Sequence, residues 1–131
     1  MKYKILIVSS NYYKDISKNL LRSTIESLKE KVETKIIEVP GSFEIPVIIS
    51  KYISEYDGFI ALGCIIKGET PHFDFISQSI TNAIMELSIN FKKPIGNGII
   101  TSLNKDHALV RSYKKGIEAT EATLTVLDKF E

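Results

Sequence analysis

Gly63-Cys64-Ile65-Ile66-Lys67-Gly68-Glu69-Thr70-Pro71-His72-Phe73-Asp74-Phe75 is the stretch whose reading decides the fold. It runs from the end of an apolar strand, through a glycine, into a Thr-Pro helix start, with Thr70 as N-cap, Pro71 at the first helical position and His72 in the first helical turn. Strand ends that feed helix N-termini are where open α/β sheets bind ligands. Free helical N–H groups at such a junction attract anions.

Working outward, Phe59 to Ile66 is the most apolar segment and the expected central strand. Tyr3 to Ser9 reads as a first buried parallel strand, followed by the polar and aromatic loop Ser9-Ser10-Asn11-Tyr12-Tyr13. Apolar residues at Ile16, Leu20, Leu21, Ile25, Leu28 and Val32 then keep a helical period. Thr34 to Val39 reads as a second strand stopped by Pro40-Gly41, and Ser42 to Pro46 as a helix entrance leading to Val47, Ile48, Ile49, Tyr52 and Ile53. Asp57-Gly58 closes that unit.

Downstream, Ile76, Ile80, Ala83, Ile84, Leu87 and Phe91 mark one face of a long helix. Lys92-Lys93 end it, and Pro94 begins a fourth strand, Ile95 to Thr101, which Gly96 and Gly98 are expected to weaken. A short helix from Lys105 to Arg111 is expected to break at Lys114-Lys115-Gly116, before a last helix that packs with Ala119, Ala122, Val126, Leu127 and Phe130. This alternation predicts an α/β fold, a four-stranded parallel sheet covered by helices on both faces through right-handed crossovers.

At 131 residues the chain reads as one domain, long enough for a real core. Seventeen Lys and Arg against sixteen Asp and Glu leave a formal net charge of +1, so no global field points to nucleic acid or an anionic membrane. The lone cysteine, Cys64, has no internal disulfide partner and sits in an apolar run, which favours a cytosolic setting. No stretch is long enough to span a bilayer. Met1 leads directly into a strand, so no signal peptide is expected.

The residues with chemistry to offer each carry two readings. His72 is either an exposed imidazole at a helix start or a proton-transfer group poised between a helix dipole and a bound phosphate. Gly68-Glu69-Thr70 is a capped helix start or a phosphate cradle of backbone N–H groups and a hydroxyl. Arg111 and Lys115 are solvated cations or phosphate partners. Tyr12 and Phe43 follow the first two strands, so a parallel sheet brings them to the edge where His72 lies, either covering core or stacking a planar heterocycle. Asn97 is a sheet-edge asparagine or a directional amide at that edge. His107 reads as surface, and two histidines without a Cys or carboxylate cluster at ligand spacing argue against a metal site.

Taken together, Val39-Pro40-Gly41-Ser42-Phe43-Glu44-Ile45-Pro46, the run from Ala61 to Asp74, and Pro94-Ile95-Gly96-Asn97-Gly98-Ile99-Ile100-Thr101 resemble the 6,7-dimethyl-8-ribityllumazine synthase family of riboflavin biosynthesis, in order and over nearly the whole chain. The resemblance implies a flavodoxin-like three-layer αβα sandwich. It also implies a transferase that needs no cofactor. The reaction is condensation of 5-amino-6-(D-ribitylamino)uracil with 3,4-dihydroxy-2-butanone 4-phosphate to the lumazine, phosphate and water. His72 then matches the proton-transfer histidine, and Glu69, Thr70, Arg111 and Lys115 match positions around the phosphate. Tyr12, Ser42, Phe43, Glu44, Cys64, Ile65, Ile66 and Asn97 match positions around the pyrimidine and its ribityl chain.

The chain departs from the family's pattern at three places. Tyr12-Tyr13 stands where the family often has Phe-Asn, and Asn97 where it often has an aromatic. Between Arg111 and Gly116 there is only Ser112-Tyr113-Lys114-Lys115, shorter than the turn associated with icosahedral shells. The family implies a homopentamer with active sites between subunits, Tyr12, Phe43 and Cys64 from one chain facing Asn97 and Arg111 of the next. The short turn favours a free pentamer or a pentamer pair over a shell, and riboflavin synthase is a candidate partner. The rival readings are a non-catalytic binder of flavin- or pterin-like rings, a paralogous riboflavin synthase, and a purely structural shell protein. Neither storage of a ring nor a shell needs both a proton shuttle and a phosphate anchor, and no motif of the paralogous group replaces the His72 segment.

Overall fold

Every residue of Gly58–Ile66 is buried, as a continuous apolar run requires when helices cover both faces of a strand. The computed structural model describes residues 3–28, 32–68 and 72–130. This strand is β3; with β1 (Tyr3–Ser10), β2 (Val32–Val39) and β4 (Ile95–Ser102) it makes one parallel sheet in the order β2-β1-β3-β4. The helices are α1 (Lys14–Ser27), α2 (Ile45–Lys51), α3 (Phe73–Phe91) and α4 (Lys105–Lys129), with a 3-10 turn, Ser42–Glu44, before α2.

Alternate residues of the strands build two cores. Ile5, Ile7, Ile60, Leu62 and Ile100 pack with Ile16 and Leu20 of α1 and with Ala108, Ala119 and Leu127 of α4. Leu6, Val8, Phe59, Ala61 and Ile99 pack with Ile45 and Ile49 of α2 and with Ile80 and Ile84 of α3. Each fully buried Ile or Leu contributes about 1.5–3 kcal/mol through removal from water. The parallel sheet with helices on both faces is what the alternation of elements predicts, and the three-layer arrangement is flavodoxin-like, as the resemblance implies.

The structure corrects several local expectations. Residues 105–129 form one helix, with no break at Lys114-Lys115-Gly116. Gly116 is there for close approach: a Cβ on it would lie 2.0 Å from Ser23 Oγ and 2.6 Å from the Leu20 carbonyl, so α4 rests directly on α1. That seating turns the helix onto Ser112, Gly116, Ala119, Thr120, Thr123 and Leu127, and leaves Ala122, Val126 and Phe130 exposed. Gly96, expected to weaken β4, also admits α4, because a Cβ there would meet the Ala119 carbonyl at 2.4 Å.

The other corrections are at helix ends. Helix α1 stops at Ser27, where Leu28 turns extended, so Val32 opens β2 and is not on the helix face. Helix α2 stops at Lys51, before Tyr52 and Ile53, and its Val47 is exposed. On α3 the buried positions are Ile80 and Ile84, whereas Phe91 is exposed beside the left-handed Lys92 that ends the helix. The expected N-cap Thr70 and first-turn Pro71 lie outside the described residues. His72 itself is the N-cap residue of α3 rather than a member of its first turn.

Candidate active site

The loops after β1 and β2 meet at the carboxyl edge of the sheet, where the Asn11 N–H donates to the Val39 carbonyl at 3.0 Å. Beside this tie lies a cleft of about 150 Å³ lined by Tyr12, Tyr13, Gly41, Ser42, Phe43, Cys64, Ile65 and Ile76. Its floor is buried: Ser42, Cys64 and Ile65 are each almost covered. Its rim is two aromatic rings that stand in solvent, Tyr12 at 70% exposure and Phe43 at 64%. Gly63 lets the floor close up, since a Cβ there would lie 2.4 Å from Ser42 Oγ. The Ser42 hydroxyl is buried with no hydrogen-bond partner among the described residues.

A second pocket, of about 140 Å³, lies at the free edge of β4 between α3 and α4. Ser77, Ile80 and Thr81 of α3, Asn97, Ile99 and Thr101 of β4, and Arg111 and Lys115 of α4 line it, with Ile65. Arg111 is drawn to this edge because its Nη1 donates to the outward carbonyl of Thr101 at 3.3 Å. Asn97 accepts the Ile99 N–H through Oδ1 at 3.0 Å, which satisfies a backbone donor of an edge strand that has no neighbour on that side. The pocket is cationic and hydroxyl-rich, the composition that suits a phosphate.

The structure therefore gathers Tyr12, Ser42, Phe43, Cys64 and Ile65 in one place and Asn97, Arg111 and Lys115 in another, and Ile65 borders both. Glu44, half-buried in the 3-10 turn, and Ile66, buried in the α1/α4 core, line neither. His72 is exposed at the N-cap of α3, with its ring centroid 6.4 Å from that of Phe75, and also lines neither. Glu69 and Thr70 lie outside the described residues; Gly68 just before them takes a left-handed φ of +92°. His107 is exposed, as expected, and its N–H is capped by Asn104 at 2.8 Å. Ile76, expected only on the apolar face of α3, also lines the cleft, and Ser77 and Thr81 escaped the sequence reading. Their one signal is a hydroxyl pair four residues apart flanking the apolar stripe of α3.

No group of three His, Cys, Asp or Glu side chains that could hold a metal occurs among the described residues. No described helix is long and apolar enough to cross a membrane.

A parallel sheet with helices on both faces and a cleft where its strands end defines an α/β protein built around a small-molecule site. A family profile described as 6,7-dimethyl-8-ribityllumazine synthase matches residues 2–131. The chain is 39% identical over 139 residues to a 6,7-dimethyl-8-ribityllumazine synthase of Agrobacterium fabrum, covering 97% of this chain and 94% of that one. It is 39% identical over 132 residues to that of Bartonella bacilliformis, covering 94% and 87%. To that of Methylorubrum populi it is 38% identical over 138 residues, covering 95% and 80%. The chain belongs to the 6,7-dimethyl-8-ribityllumazine synthase family. It is a transferase of riboflavin biosynthesis, which condenses 5-amino-6-(D-ribitylamino)uracil with 3,4-dihydroxy-2-butanone 4-phosphate to the lumazine, phosphate and water.

Proposed function

We propose that the aromatic cleft holds the pyrimidine, that the cationic pocket holds the phosphate, and that a complete active site forms where the cleft of one subunit meets the pocket of the next. The observation that carries this reading is the division of the lining into an aromatic cleft and a cationic pocket, with Ile65 the one residue common to both among the described residues. A condensation needs its two reacting atoms about 3–3.5 Å apart. A cyclic assembly with head-to-tail contacts brings unlike surfaces together at every interface, so the cleft of one subunit faces the pocket of the next. Exposed Phe75, Met85, Ile89, Leu103 and Val110 on or beside α3 and α4 supply apolar surface for such contacts.

In the assembled site Tyr12 and Phe43 stack the ring, the Ser42 to Glu44 turn, Cys64, Ile65 and Ile66 bound it, and Asn97 closes it from the neighbouring subunit. Arg111 and Lys115 of that neighbour, with Glu69 and Thr70, hold the phosphate. The uracil amine attacks the ketone directly, so the protein supplies register rather than a covalent intermediate. His72 carries protons as the imine forms and as phosphate leaves, and Arg111 balances the departing charge. The enzyme works in the cytoplasm as a homopentamer, and riboflavin synthase, which consumes the lumazine, is a candidate partner. Light scattering of the purified protein should give the mass of five or ten chains; a shell-sized particle or a monomer would overturn this assembly.

A further inference from the structure

We infer that Tyr13 is a positioning residue, a buttress that sets the ring of Tyr12 for the planar heterocycle. The inference rests on the proposed placement of the pyrimidine against Tyr12. Four observations carry it. Tyr12 is 70% exposed, so a lone ring there would sweep several rotamers and lose that freedom on stacking. Tyr13 is half-buried and packs against the core of the α1/α4 face, bordering a recess with Ile16, Leu20 and Cys64. Its backbone is held as well: it is the N-cap residue of α1, and its carbonyl accepts the Ser17 N–H at 2.8 Å. The two rings meet edge to face, centroids 4.9 Å apart and planes at 81°.

That contact is within the range of favourable aromatic pairs. An edge-to-face contact covers at most one face of Tyr12, which is 70% exposed and, with Tyr13, lines the cleft. Tyr13 thus transmits the rigidity of the α1/α4 core to an otherwise mobile side chain, and the gain is realised when a flat ring lands on Tyr12.

The test is a double-mutant cycle on the assembled enzyme, with separate saturation curves for the two substrates. Tyr12→Leu should raise KM for 5-amino-6-(D-ribitylamino)uracil about tenfold, the scale of one aromatic stack. Tyr13→Leu should raise it about three- to fivefold, while KM for the butanone phosphate moves less than twofold. Tyr13→Phe, which keeps the ring, should restore the pyrimidine KM to within about twofold of wild type. Tyr12→Leu/Tyr13→Leu should bind no worse than Tyr12→Leu alone, since a buttress without its ring has nothing to hold. Tyr13→Met serves in the cycle if Tyr13→Leu does not assemble. An unchanged KM in Tyr12→Leu would remove the stacking role and the buttress together. A raised KM in Tyr12→Leu beside an unchanged Tyr13→Leu would remove only the buttress. Additive losses in the double variant, or a Tyr13→Phe as weak as Tyr13→Leu, would also refute it, by assigning the effect to direct contact or to the hydroxyl.

Discussion

The cleft at the ends of β1 and β3 and the pocket at the edge of β4 belong to one sheet and differ in nearly every physical respect. In the cleft, aromatic rings stand over a buried floor of serine, thiol and isoleucine. In the pocket, two cations face three hydroxyls and an amide. Topology accounts for the difference. β3 is an interior strand, so Cys64 and Ile65 near its end are walled by neighbours and form a buried floor, while Tyr12 and Phe43 in the loops after β1 and β2 stay exposed as its rim. β4 is an edge strand whose outward backbone groups need partners, and Asn97 and Arg111 provide them. One sheet thereby presents two opposite environments, and the proposed assembly joins them.

The comparison can be broken by kinetics that separate its halves. His72→Ala, at neither feature in one chain, should lower kcat about a hundredfold, the usual scale of a lost proton-transfer group, without abolishing turnover. An unchanged kcat would take His72 out of the mechanism. Arg111→Ala should raise KM for the butanone phosphate about thirtyfold, as a charge-assisted contact to phosphate is lost, and change the pyrimidine KM little. Equal rises for both substrates would erase the distinction between pocket and cleft.

The joining of the halves is open to a mixing experiment. Arg111→Ala and Phe43→Ala chains, each impaired alone, are unfolded together and reassembled in equal amounts. About a quarter of the interfaces should then pair an intact cleft with an intact pocket and recover wild-type turnover, because each site takes one half from each of two neighbours in a head-to-tail ring. Activity no higher than the mean of the two separate variants would place each site within a single chain.

The smallest effect concerns the seat of α4. Gly116→Ala gains about 1 kcal/mol of helix propensity but drives a methyl into Leu20 and Ser23, an overpacking that costs about 1–3 kcal/mol. A net loss of about 1 kcal/mol is expected by denaturant unfolding, with a modest rise in KM for the phosphate substrate as α4 shifts Arg111 and Lys115. A stabilised variant would show that α1 and α4 have room to part.

Much of this was legible in the residues. Tyr12, Phe43 and Cys64 could be placed at one edge because each sits at or just beyond the carboxyl end of a strand, and parallel strands end on the same side. β3 was legible from its unbroken apolar run. The errors arose where a local rule met a packing constraint. Gly116 looks like a helix breaker by propensity, yet it is the point where α4 touches α1. Val32 keeps the helical period of α1, but the chain has already turned extended at Leu28. Ser77 and Thr81 flank the apolar face of α3 and become pocket wall only because the edge of β4 lies beside them.

The amino-acid order sets the succession of strands and helices, the apolar centre at Phe59 to Ile66 and the family to which the chain belongs, because these depend on periodicity and contiguous motifs. Folding settles that β4 is left at an edge, that residues 105–129 form one helix, and that Tyr12, Ser42, Phe43 and Cys64 gather apart from Asn97, Arg111 and Lys115, with Ile65 bordering both sets. Strand order and helix seating are contacts between residues far apart in the chain. They follow from how small side chains such as Gly96 and Gly116 let backbones approach, which no local pattern encodes.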